Sequence, residues 1–206
     1  MTETQTTGTT GAVPLDPETE EFAQQIADQV ESFLIALQAI AREADGGRAI
    51  SLLLLEISQV LLAGARLGAQ EDFTPIAEYQ PDVGPEADID EMRLALAEML
   101  GGIDTYSFVF DPYVPEVVES QLSDDLTSIA TDLENGLRHY RLGNVSEALW
   151  WWQFSYVSSW GNLAGAALNA LLSVVAHDRL DTEIVGEEEL LDAVDEMLES
   201  GDESPR

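Results

Sequence analysis

Apolar residues recur at steps of three and four along most of the chain, which predicts a series of amphipathic helices. The first stripe follows Asp16 and Pro17, an N-capping side chain and a residue suited to the first helical position. The stripe ends before Gly46 and Gly47. We therefore predict a first helix with one apolar face, made of Phe22, Ile26, Val30, Phe33, Leu37 and Ile40.

A second helix is predicted from about residue 48 to residue 69, and it is apolar enough to be largely enclosed. Residues 71–90 contain three prolines and a glycine, which indicates an extended loop. A third helix follows, with Asp88 as its cap and Glu91 three residues on, which is a capping-box arrangement. We expect this helix to stop at Gly101.

Residues 103–118, IDTYSFVFDPYVPEVV, have the aromatic composition of a strand. No second strand is evident for this segment to pair with, and Pro112 and Pro115 would interrupt a ladder of hydrogen bonds. We therefore predict a partly ordered connector that packs over the helices.

Two further helices are predicted on either side of a very short turn. The first spans about residues 121–142, and Asn144 with Glu147 three residues later starts the second as another capping box. Helices joined so closely must form an antiparallel hairpin. The sequence leaves open whether the second helix runs unbroken to about His177 or bends at Gly161.

These elements together predict an all-α fold, a helical bundle of five or six helices with a central antiparallel helix hairpin. The chain divides into three predicted parts. Residues 1–13 form a disordered N-terminal arm, residues 14–180 form the all-α bundle domain, and residues 181–206 form an acidic C-terminal tail with a short amphipathic helix.

All four tryptophans lie within residues 150–160. Successive helical residues point about 100° apart, so Trp150, Trp151 and Trp152 cannot all face the core. We predict that the tryptophans fill the core and that Trp151 lies at its edge beside Tyr156, as a binding surface. A stripe of small polar residues meets polar neighbours, faces water or lines a cavity: Ser155, Ser158, Ser159, Asn162, Asn169 and Ser173.

The charge of the chain changes this picture most. Forty acidic residues oppose eight arginines and no lysine, which gives a formal charge of -32. Such a chain repels polyanions, so we expect no direct nucleic-acid binding and no membrane contact. The apolar runs 49–65 and 160–176 are interpreted as buried helices. The partner we expect is another protein, and a basic surface would suit it.

The sequence contains no cysteine, no phosphate-binding glycine loop and no histidine pair at helical spacing. We therefore assign no catalytic residue, no cofactor and no metal, and we favour a role other than that of an enzyme. Asp104 and Asp111 flank the aromatic connector, but chance pairs of acids are expected where one residue in five is acidic. A cytoplasmic location fits the absence of cysteine and of a basic, apolar N-terminal signal.

Two functional hypotheses follow from these observations, and a surface adapted to high salt would explain the charge without any partner. The leading one is an interaction or adaptor protein, whose acidic surface attracts basic partners and whose aromatic helix hairpin supplies contact area. The alternative is a small-molecule binding protein or hydrolase with a pocket beside the tryptophan-rich helix. The binding candidates for the two hypotheses are Trp151, Tyr156, Arg138, Tyr113 and His177.

The segment SDDLTSIATDLENGLRHYRLGNVSEALWWWQFSYVSSWG, together with EYQPDVGP, YSFVFDPY and SVVAHDRL, resembles an uncharacterised, mainly actinobacterial family, domain of unknown function 5063. The resemblance runs from about Asp16 to Leu180. It implies a helical soluble protein and transfers no catalytic residue.

Overall fold

The structure is a computed structural model that describes residues 15–42, 46–76, 80–85 and 89–180. The arm and the tail predicted for residues 1–13 and 181–206 lie outside the described residues, as does the predicted cap Asp88. The described elements are helices α1 (Pro17–Ile40), α2 (Gly46–Gly68), α3 (Asp90–Leu100), α4 (Leu122–Arg141) and α5 (Val145–Leu180), with strands β1 (Thr105–Asp111) and β2 (Val114–Gln121) between α3 and α4.

The helices follow the predicted periodicity. The Asp16 carboxylate accepts the Thr19 amide at 2.9 Å, which confirms the predicted cap of α1. The predicted apolar face of α1 is buried, except that Phe22 is only half-buried. Helix α1 packs on α2 and α4, α5 packs on α4 and α2, and α3 packs on α4. The core therefore lies between the helix pair α1–α2 and the helix pair α4–α5.

Helix α2 is less enclosed than its composition predicts. Its inner face carries Leu53 and Ile57, both fully buried. Leu55 and Leu62 lie on the opposite side and are 50% and 59% exposed. By length and composition alone, Gly47–Gly68 and Val145–Leu180 are apolar enough to cross a membrane. Core helices of bundles share that property, and both segments contribute fully buried side chains here.

The prediction of an all-α fold is only partly right, because residues 105–121 form a β-hairpin and not an unpaired connector. The partner strand follows directly after a two-residue turn, in which the Asp111 carboxylate accepts the Tyr113 amide at 2.8 Å. Pro112 occupies that turn. Pro115 falls at the irregular register between Val109 and Asp111, where its missing N–H interrupts no regular pair.

Helices α4 and α5 form the predicted antiparallel hairpin. Gly143 ends the first helix with a φ of 81°, a conformation that favours glycine. The predicted capping box is wrong, since the Asn144 side chain makes no capping hydrogen bond. Glu147 instead accepts the backbone amide of Ile76 at 3.1 Å, and this contact holds the preceding loop against α5.

Helix α5 is continuous to Leu180 and contains a π-helical turn over Tyr156–Trp160. Trp152 and Trp160 are both fully buried, although they lie eight residues apart. In a regular α-helix that spacing places two side chains about 80° apart around the axis. A π-turn accommodates about one extra residue, so it returns Trp160 to the face of Trp152.

The two buried indoles lie against glycines of neighbouring helices. The Trp152 Nε1 donates to the carbonyl of Leu133 at 3.0 Å, and a Cβ atom at Gly136 would overlap the Trp152 ring. A Cβ atom at Gly64 of α2 would overlap the rings of Tyr156 and Trp160. The bundle therefore depends on close approach of helices at these glycines.

We predict that Gly136→Ala lowers the free energy of unfolding by about 1–3 kcal/mol, because the added methyl group overpacks the contact with Trp152. The matched control is Ser32→Ala, at an exposed helical position of α1. That control is expected to change the free energy by less than about 0.5 kcal/mol. Urea unfolding measures both values, and equal effects of the two substitutions would contradict the packing argument.

Candidate functional site

The β1–β2 hairpin presents apolar side chains to solvent. Tyr113 at its turn is 94% exposed and Val117 in β2 is 74% exposed. The sheet has two strands within the described residues, so each strand has one edge without a strand partner there. The exposed apolar residues of the hairpin are Val109, Phe110, Tyr113, Val114, Val117 and Val118.

The two faces of the hairpin have different environments. One face carries the cross-strand pairs Tyr106–Ser120 and Phe108–Val118, and it contacts the start of α4 through the Tyr106 hydroxyl. The other face carries the cross-strand pair Val109–Val117. Both of these valines are exposed, so the outer face offers an apolar contact in the middle of the hairpin.

The charge of the hairpin is entirely negative. Asp111, Glu116 and Glu119 lie in it, and residues 105–121 contain no arginine, lysine or histidine. A ligand that docks on the outer face therefore meets apolar side chains bordered by carboxylates. This combination favours a ligand that is both apolar and positively charged.

Asp104 attaches the hairpin to the bundle. Its carboxylate accepts the backbone amide and the hydroxyl of Ser123 at 2.8 and 2.9 Å, and its carbonyl accepts the amide of Leu122 at 2.8 Å. Gln121 precedes α4 and makes no side-chain cap. Asp104 therefore caps α4 from outside the helix and fixes the start of β1 beside it.

Asp125 provides the second attachment. This buried carboxylate accepts the hydroxyl of Tyr106 at 2.6 Å and that of Ser120 at 3.0 Å. Burial raises the pKa of Asp125. The hydrogen bonds from the two hydroxyl donors oppose this increase, and the negative charge of the nearby Asp124 adds to it. The pKa of Tyr106 is raised as well, first by burial and then by Asp125. The base of the hairpin is thus held by charge-assisted hydrogen bonds.

Two of the predicted binding residues differ in exposure. Tyr113 lies at the tip of the hairpin and faces solvent. Trp151 is half-buried, stays in contact with the core and donates from Nε1 to the carbonyl of Asp132 at 2.8 Å. An indole bound in this way helps to join α4 to α5, and its half-buried position agrees with the predicted edge of the core, while its role in binding stays a prediction.

The other three predicted binding residues lie on different elements. Tyr156 packs on Gly64 and Gly68 of α2. Arg138 on α4 donates to Glu134 at 3.3 Å and to the carbonyl of Pro85. His177 is exposed near the end of α5. The five candidates therefore do not form one site around the tryptophans.

The small polar stripe of α5 divides into two groups. Ser155 is buried and donates to the carbonyl of Trp151 at 2.7 Å, and Ser159 donates to the Asp132 carboxylate at 2.9 Å. Burial raises the pKa of Asp132, while the bond from Ser159 opposes that increase. The remaining members face solvent: Ser158, Asn162, Asn169 and Ser173.

Two clefts lie in the described residues, and the second borders the tryptophan-rich helix α5. One, of about 240 Å³, lies between α1, α3 and α4 and is lined by Leu34, Arg42, Met92 and Thr131 among others. The second, of about 430 Å³, includes Phe73 and the start of α5. Tyr113, Arg138 and His177 line neither of them.

The acid pair considered in the sequence is separated by the hairpin. Asp104 precedes β1 and Asp111 ends it, and each carboxylate accepts a nearby backbone amide. Within the described residues, no group of three or more histidine or acidic side chains could hold a metal ion.

Sequence reasoning missed Asp125 and Ser120, which attach the hairpin. Their signal was present but weak: a strand with alternating aromatics, then SQLSDD with two acids in the first turn of a helix. The contact between Tyr106 and Asp125 can be inferred only after the second strand is recognised, because the two residues are distant in sequence.

Comparison with known proteins identifies relatives but no activity. The family described as Domain of unknown function (DUF5063) matches residues 17–177. The crystal structure of protein BF1032 from Bacteroides fragilis is similar in fold, with a TM-score of 0.57 and 19% identity over 77% of this chain and 92% of that one. Among curated proteins, none matches this sequence.

We predict that Asp125→Asn stabilises the protein more at neutral pH than at pH about 4. The raised pKa means that the folded state binds the proton of Asp125 more tightly than the unfolded state, so the contribution of Asp125 to the stability of the wild type becomes less favourable as pH rises from about 3.9 through the folded pKa. Asparagine keeps an acceptor for Tyr106 and carries no charge.

The measurement is urea unfolding of both proteins between pH 4 and pH 7, with Glu119→Gln as a control that removes one exposed hairpin charge. The difference between Asp125→Asn and wild type should become more favourable with pH, and by more than the control difference. A difference that is constant with pH would contradict the assignment of a buried, destabilised carboxylate.

Proposed function

This chain belongs to the family of domain of unknown function 5063, whose description names no activity, and we propose a function from its surface instead. The proposed function is that of a protein-interaction module, which binds a basic, extended segment of a partner protein on its β-hairpin. The observation that carries the proposal is the exposed pair Val109–Val117, beside strand edges that have no described partner.

Strand edges favour an extended ligand. An edge offers backbone N–H and C=O groups, and a segment that pairs with them extends the sheet. Val109, Val117 and Tyr113 would then contact the alternate side chains of that segment, which supplies apolar contact in addition to the backbone bonds. Tyrosine at an interface contributes a large contact area at low entropic cost.

The acidic surface determines the charge of the segment. A net charge of -32 attracts a basic partner from a distance and repels nucleic acids and anionic membranes. The hairpin adds carboxylates and no cation, so basic residues in the bound segment would find partners at Asp111, Glu116 and Glu119. Attraction of this kind weakens with salt, because the screening length falls from about 10 Å at 0.1 M to about 3 Å at 1 M.

The anchors at Asp104 and Asp125 support this role. A two-stranded hairpin alone is only marginally stable, and a loose one would lose entropy on binding. Hydrogen bonds to Ser123, Tyr106 and Ser120 hold its base against α4 before a ligand arrives. The hairpin is therefore preorganised for binding. We further propose that the module acts in the cytoplasm of an actinobacterial cell, as its composition and the resemblance suggest.

We predict that Val109→Ser with Val117→Ser weakens partner binding by about tenfold or more, because it removes the central apolar contact without a change of charge. A photo-reactive amino acid at position 113 would capture the partner in lysate of the source cell, and mass spectrometry would identify the cross-linked segment. Affinity is then measured with that segment as a synthetic peptide.

The matched control is Leu142→Ser, which removes another exposed apolar side chain at the end of α4. The proposal expects a basic peptide, an affinity that falls with salt, and normal binding by the control. Cross-linked segments that are acidic, or a double serine variant that binds as tightly as the wild type, would reject the hairpin as the binding site.

A further inference from the structure

The outer side of α5 is a second surface, with properties different from those of the hairpin. Two large apolar side chains, Phe154 and Val157, are 51% and 68% exposed near one end, and Leu172 is 52% exposed near the other. Between them Asn162, Gly165 and Asn169 also face solvent. We call this set of six residues the α5 face.

The α5 face carries no charge. Residues 148–176 contain no aspartate, glutamate, lysine, arginine or histidine, although one residue in five of the whole chain is acidic. A basic ligand gains no direct ion pair from such a helix. Two copies of this chain, by contrast, meet there without bringing carboxylates of the two α5 helices together, whereas like charges at close range are destabilising.

Among the described residues, no contact accounts for glycine at position 165. Glycine inside a helix costs about 0.5–1 kcal/mol relative to alanine. At Gly64, Gly136 and Gly161 an added Cβ atom would overlap an aromatic side chain or a carbonyl of the chain itself. At Gly165 it would meet no described atom within 4 Å. A glycine in that position permits close approach of a second helix from outside.

Two polar members of the α5 face are placed evenly about its centre. Asn162 and Asn169 lie at equal sequence distances from the midpoint of Gly165 and Ala166, and both follow the π-turn. Two antiparallel copies related by a two-fold axis bring equivalent patches together. Each Asn162 then lies opposite Asn169 of the second copy, and asparagine can both donate and accept hydrogen bonds.

We propose that the α5 face is a homodimer interface, in which two copies of α5 pack antiparallel about Gly165. The occupant is thus a second copy of this chain. Exposed apolar groups at the two ends of the face supply the hydrophobic contact, and the central glycines allow the helix axes to approach.

Salt dependence distinguishes this association from partner binding on the hairpin. Each copy carries a charge of -32, so the remainder of the two surfaces repels when the uncharged faces meet. Added salt screens this repulsion and should strengthen the dimer. Binding of a basic segment should weaken under the same change, so the two proposals fail or succeed separately.

The test is sedimentation equilibrium of the full chain at about 0.05 M and about 0.5 M NaCl, over a range of protein concentrations. The expected average mass rises from 22.4 kDa towards twice that value with concentration, and it rises further at the higher salt. Val109→Ser with Val117→Ser should dimerise like the wild type.

The variant that addresses the face is Gly165→Leu, which adds bulk where the fold has room and should raise the dimer dissociation constant by about tenfold or more. Ser32→Leu places the same side chain at an exposed position of α1 and should leave the constant unchanged. Circular dichroism and urea unfolding would establish that both variants remain folded.

A charge exchange tests the antiparallel register. Asn162→Glu with Asn169→Glu should abolish dimers, since four carboxylates would meet. Asn162→Arg with Asn169→Glu places opposite charges together in the antiparallel pair and should retain or strengthen the dimer, while in a parallel pair it would place like charges together.

Three results would overturn the proposal. The first is a wild type that stays at 22.4 kDa under all conditions, in which case a different protein or residues 181–206 of the chain occupy the α5 face. The second is a dimer whose dissociation constant is unaffected by Gly165→Leu. The third is an arginine–glutamate variant that loses association as fully as the double glutamate variant.

Discussion

The packing of Trp152 and Trp160 into the same side of the bundle is the constraint on which the rest of the structure depends. Both indoles are fully buried, and each lies where a glycine on a facing helix leaves room. A regular α-helix would rotate the second indole by about 80° away from the first. The π-turn at Tyr156–Trp160 removes that mismatch, so it sets the phase of the whole second half of α5.

That phase determines which residues of α5 face inwards and which face outwards. Before the π-turn, Gln153 faces inwards and holds the segment after α2: its amide donates to the carbonyl of Leu67 at 3.0 Å, and its carbonyl accepts the amide of Phe73 at 2.9 Å. After the π-turn, Ala164 and Ala167 are fully buried. Gly165 is therefore on the outer side. The inner contacts of α5 and its outer face thus have one physical cause.

The sequence was sufficient for the helices and insufficient for the interruptions between them. Periodicity identified α1 and α4 because a single apolar stripe runs the length of each helix. It failed at residues 105–121 because proline was treated as incompatible with a ladder, whereas Pro112 lies in the turn and Pro115 at the irregular pair. For Trp151 the step of about 100° per residue predicted a position at the edge of the core, and the side chain is half-buried there, but the bond from its Nε1 to the carbonyl of Asp132 could not be predicted from that step. Tyr113 was named as a binding candidate from its residue type, but its position at the tip of a hairpin could not be seen without the second strand.

The two surfaces differ in how they combine charge with apolar area, and that difference is the reason for proposing a different partner for each. On the hairpin, exposed valines lie among carboxylates, so apolar contact and electrostatic attraction favour the same ligand, a basic one. On the α5 face, apolar side chains lie on a helix without charge, so hydrophobic contact acts against the long-range repulsion between two acidic copies. A uniformly acidic chain would repel its own copies everywhere. In the proposed dimer, the uncharged α5 face lets two acidic copies meet without opposed carboxylates on α5, whereas the proposed partner of the hairpin is attracted by the carboxylates there.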